Sequence, residues 1–92
     1  SLAELTERVT KLLPPQVRLA GMALAAGGNE PVVRFTVVGN SEEAVEKFLI
    51  NLEDSSYFRH VAIINQGFEQ EGSAGGPVRI ACTAQYQGAR RN

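Results

Sequence analysis

The chain has 92 residues, 43% apolar and 21% charged, with nine Lys and Arg against ten Asp and Glu and a net charge of -1. That length fits one small domain with one modest core, and the near-neutral balance removes the electrostatic footprint on which non-specific nucleic-acid binding depends. A single cysteine excludes a disulfide framework within the chain and any cysteine-based zinc site.

Leu2, Leu5, Val9 and Leu12 recur at spacings of three and four among Glu4, Glu7, Arg8 and Lys11, which predicts an amphipathic helix. Pro14 and Pro15 stop it near Leu13, because the residue before a proline is pushed out of helical geometry. A strand follows over about Val17 to Ala25. Val17 and Leu19 share one parity while Met22 and Leu24 share the other, so a bulge near Ala20 and Gly21 must switch the face. Gly27, Gly28 and Asn29 supply a turn, and Pro31 opens a second strand from Val32 to Gly39, making a hairpin.

Ser41 followed by Glu42 and Glu43 places an oxygen cap and two carboxylates at the positive end of a second helix of about 14 residues. Ala44, Val45, Phe48, Leu49 and Leu52 are its apolar stripe; Glu43, Glu46, Lys47 and Asn51 form a solvated face. His60 to Phe68 reads as a third strand and Pro77 to Gln87 as a fourth, joined by a glycine-rich hairpin tip. The tail from Gly88 to Asn92 is expected to fray. Residues 1–92 therefore form one domain: an N-terminal helix over 1–13, a hairpin-helix-hairpin core over 17–87, and the tail.

The order αββαββ uses one helix-hairpin unit twice, and the layer rule places both helices on one face of a four-stranded antiparallel sheet. Joining the hairpins through the middle of the sheet gives strand order 3-4-2-1, a circularly permuted ferredoxin-like α+β sandwich. The core face takes Val33, Phe35, Val37, Val61, Ile63, Ile80 and Cys82. The opposite, uncovered face presents Val32, Arg34, Thr36, Val38, Ala62, Ile64, Gln66, Phe68, Arg79, Ala81, Thr83 and Gln85. Such a mixture of apolar and polar side chains suits a second protein surface, and equally suits water.

Nothing in the chain reads as a catalytic, cofactor or metal constellation. His60 has no Ser and Asp companions that spacing can identify, and Cys82 lies on the apolar parity of a central strand as a small inert hydrophobe. Glu69 and Glu71 flank the glycine-rich tip as solvated loop charges. The Gly-Gly pairs lead no strand into a helix and match no phosphate loop, and Glu42 and Glu43 occupy the place an anion would take after Gly39, Asn40 and Ser41. An RNA-recognition motif would need stacking aromatics on the central strands, where Phe35 alone occurs and on the core parity. An acylphosphatase-like enzyme would need a convergent arginine in a loop, whereas Arg34 and Arg79 lie within strands.

The stretches L-L-P-P-Q-V-R-L-A-G-M-A-L and V-R-F-T-V-V-G-N-S-E-E-A-V-E-K-F-L-I-N-L-E-D-S-S-Y-F-R-H-V-A-I-I resemble the C-terminal domain of the type IV pilus assembly protein PilN. The shared pattern is a Leu-Pro before the first strand, a strand-ending Gly, a polar helix start, an Ala-Val…Phe-Leu…Leu-Glu stripe, a Ser-x-x-Phe and a Val-x-Ile. It runs from about Leu12 to Tyr86 and is shared in part with the type II secretion protein GspL. The resemblance implies a non-enzymatic, periplasmic domain of a single-pass inner-membrane protein, pairing with itself or a PilO-like domain, without cofactor, metal, nucleic acid or small-molecule substrate. The first helix would then end a coiled-coil connection. PilM binding belongs to a cytoplasmic Asn-Leu-Leu-Pro segment, to which Leu12, Leu13 and Pro14 do not correspond. No apolar run approaches the roughly 20 residues of a spanning helix, and no signal-peptide pattern opens the chain. The start at Ser1 and not Met leaves room for a preceding segment that carries the targeting information. Arg34, Thr36, Ile64, Phe68 and Arg79 are the expected interface residues, with pairing through the first helix or the edge strands as the competitor. The alternatives are a GspL-like secretion component and an ACT-like small-ligand regulatory module.

Overall fold

The structure, a computed structural model, describes residues 2–25, 30–70 and 75–87. The expected turn at Gly27, Gly28 and Asn29, Glu71 at the second hairpin tip, and the tail 88–92 lie outside the described residues. The elements are α1 (Leu2–Leu12), β1 (Val17–Ala25), β2 (Val32–Gly39), α2 (Glu42–Asp54), β3 (Phe58–Phe68) and β4 (Val78–Tyr86). The sheet runs β1-β2-β4-β3 with every neighbouring pair antiparallel, which is the α+β sandwich and strand order that the repeated helix-hairpin pattern predicts.

The parity switch in β1 is a bulge. Leu19 faces Val37 and Gly21 faces Thr36, so Ala20 is the extra residue, and Met22 then falls opposite Phe35 on the core side. At the start of α2 the Ser41 side chain accepts a hydrogen bond from the Ala44 amide at 3.2 Å, satisfying one of the donors a helix start leaves over. Asn51, expected on the solvated face of α2, instead donates to the Leu12 carbonyl at 2.9 Å and ties the two helices together.

The core is built on β2 and β4. Val33, Phe35 and Val37 alternate with Val78, Ile80, Cys82, Ala84 and Tyr86 beneath Leu5 and Val9 of α1 and Val45, Phe48 and Leu52 of α2. Phe35 is its centre, edge-on to Phe48 at 6.2 Å and to Phe58 at 5.7 Å between ring centroids. α1 is a wall of this core: Leu5 and Val9 are buried, and Arg8 lies 3.9 Å from the centre of the Tyr57 ring while donating to the Tyr86 hydroxyl at 2.6 Å.

β3 departs from the alternation expected of it. Arg59 faces Gln85 but Ala62 faces Thr83, and Ile63 faces Cys82 but Asn65 faces Ala81, so the strand carries two extra residues. The first bulge contains His60 at φ 58, the left-handed region usually left to glycine. Two bulges shift every residue beyond them. Ile63 keeps the core-side register yet is 53% exposed, on an edge strand exposed along most of its length beyond Phe58; the expectation that it is core is corrected. Gln66 and Phe68 fall opposite Ile80 and Val78, on the helix side and not on the open face expected for them.

Candidate interaction surface

Cross-strand register defines the uncovered face row by row. Arg18, Val38, Arg79 and Gly67 form the first row; Gly21, Thr36, Ala81 and Asn65 the second. Ala23, Arg34, Thr83 and Ala62 follow, and Ala25, Val32, Gln85 and Arg59 close the face. Its middle is small-sided and its charge is carried by arginines. Val38 and Ala81 are nonetheless buried; Val38 sits between Arg18 and Arg79, whose aliphatic stems can lie over it.

Two of the four arginines have carboxylate partners at the rim. Arg79 donates through Nε to Glu69 at 2.7 Å, with a second contact at 3.5 Å, and this bond holds the Glu69 carboxyl below its ordinary range while raising the guanidinium. Glu69 is thus an ion-paired residue and not the free loop charge expected from sequence. Arg59 reaches Glu30 at 3.3 Å. Among the described residues Arg34, near the middle of the face, forms no ion pair.

Of the expected interface residues, Arg34, Thr36 and Arg79 come together on this face. Ile64 is the extra residue of the second β3 bulge and is 45% exposed. Phe68 is set apart from them, at the far end of β3 beside Glu42, Gln66 and Val78. Sequence reasoning omitted Arg18 and Arg59 from the face. Arg18 was legible, since it alternates with Val17 and Leu19; Arg59 lies just before a bulge that no local signal marks.

An open groove of about 750 Å³ lies between α1 and the end of α2, bordered by Glu4, Glu7, Lys11, Asp54 and Tyr57. Arg8, in its wall, is occupied by the Tyr57 ring and the Tyr86 hydroxyl. Cys82 is fully buried and its thiol is pushed up to about 11 by burial, the opposite of an activated nucleophile. His60 is exposed on the edge strand. Among the described residues no three His, Cys, Asp or Glu side chains converge as metal ligands would, and no helix is long and apolar enough to cross a membrane. Comparison of the chain with protein-family models, with curated proteins and with solved structures found no match.

Proposed function

We propose that the chain is a pairing domain of a membrane-anchored assembly platform of the PilN kind, a periplasmic structural part that aligns its machine by binding a PilO-like domain or a second copy. The observation that carries the reading is a sheet face that no described element covers, with Ile64 exposed at the β3 bulge along its edge and Ile63 and Phe68 exposed on the helix side of the same strand. Exposed large apolar side chains beside arginines and small polar residues are the makings of a protein interface. The pilus assignment rests on the sequence resemblance.

Sedimentation equilibrium of the fragment, alone and mixed with the corresponding domain encoded by the adjacent gene, tests the reading. A heterodimer that forms at the expense of the homodimer is the expected result, and Arg34→Glu with Ile64→Arg should weaken it. A fragment that stays monomeric in both samples would overturn the proposal.

A further inference from the structure

The two outer layers of the molecule carry opposite charge. The open sheet face holds Arg18, Arg34, Arg59 and Arg79 against the rim carboxylates of Glu30 and Glu69. On the far side, α2 bears five carboxylates and one lysine, and none of Glu42, Glu43, Glu46, Glu53 and Asp54 is ion-paired among the described residues. With a net charge of only -1, this separation makes the molecule a dipole whose ends attract those of another copy.

Shape follows charge. Ile50, on the outward side of α2, is 52% exposed, with Glu46 and Lys47 one turn before it and Glu53 and Asp54 one turn after. The middle rows of the sheet face offer Thr36, Ala81 and Thr83 with Arg34 beside them, a floor of small side chains. An apolar knob within a rim of carboxylates and one lysine thus matches a small-sided floor within an arginine rim.

We infer that copies of this domain stack head to tail, the α2 outer face of one seated on the open sheet face of the next, so that each sheet acquires helices on both sides. The layer rule favours that outcome for a sheet bare on one face. The contact is heterologous, joining two different surfaces, so it propagates unless the chain of copies closes or is capped. The inference rests on reading the chain as a pairing domain, yet it fails separately: a fragment that binds its neighbour but never stacks on itself keeps that reading and loses this one.

Sedimentation velocity over a range of concentrations, at roughly 0.02 M and roughly 0.5 M salt, is the test, since the Debye length shrinks from about 20 Å to about 4 Å between them. Average mass should climb with concentration at low salt and fall back at high salt. Arg34→Ala spoils the sheet face without giving it a charge that could pair with a reversed helix, and Glu43→Arg with Glu46→Arg spoils the helix face; each variant alone should lose roughly tenfold or more of its self-affinity. Mixed together, they still offer one intact helix face and one intact sheet face, and should form a one-to-one dimer that grows no further. Retained cooperative unfolding of each variant guards against a folding defect. Wild-type protein that stays monomeric at low salt, or a mixture that recovers no dimer, would overturn the inference.

Discussion

Gly39 closes β2 beneath the first turn of α2, and a Cβ there would stand 2.7 Å from Val45 Cγ2 and 3.3 Å from Val17 Cγ2. Both contacts are with β-branched side chains that have little rotamer freedom, so the helix or the strand must move. Gly39→Ala should cost about 1–3 kcal/mol in urea unfolding; an unchanged midpoint would mean that α2 is not held against the strand end as described. Cys82 gives the molecule a pH dependence of known sign. The thiol titrates near 9.0 when solvated and near about 11 in the fold, so between those values the folded chain holds more proton than the unfolded one. Stability should therefore fall as pH rises from 9 toward 11, and be insensitive to this group at lower pH. Cys82→Ala should flatten that slope in unfolding titrations, and a slope identical to wild type would place the thiol in solvent.

At the scale of elements, legibility depended on whether a face switch left a hydrophobic trace. β1 was readable, bulge included, because Val17 and Leu19 contradict Met22 and Leu24 in parity, and only an extra residue reconciles them. β3 was not. Its apolar residues Val61, Ile63 and Ile64 straddle the bulges, and an exposed edge strand places few demands on which parity is apolar. That loss propagated to the expected surface residues: Arg34, Thr36 and Arg79 fall on the open face as expected because they lie on regular β2 and β4, while the second insertion, at Ile64, carries Phe68 to the helix side. The first of those insertions can be tested at His60, whose φ of 58 costs a side-chain-bearing residue roughly 1–2 kcal/mol. His60→Gly relieves that strain but gives the unfolded chain roughly 0.5–1 kcal/mol of added freedom, so it should be neutral or mildly stabilising. His60→Val should destabilise by about 1–2 kcal/mol, since a β-branched residue tolerates this region least. A Val variant as stable as the Gly variant would remove the bulge from the fold.

For the whole molecule, the decisive element is α1. Resemblance alone would make it the end of a coiled-coil connection, separable from the domain that follows. Its burial makes it half of the helical layer: Leu5 and Val9 are 1% and 0% exposed, sealing one side of a core whose other cover is α2. Each of those side chains is worth about 1.5–3 kcal/mol of apolar burial, and the same helix carries Arg8 onto the Tyr57 ring and the Tyr86 hydroxyl. A domain of this size has about 5–15 kcal/mol to lose. A fragment that begins at Leu13 should accordingly lose cooperative unfolding and near-ultraviolet circular dichroism while retaining strand content. Leu5→Ala in the full chain should cost about 2–5 kcal/mol without changing the strand signal. If the shortened fragment instead unfolds in one sharp transition close to that of the full chain, α1 is a detachable connector and the sandwich stands on α2 alone.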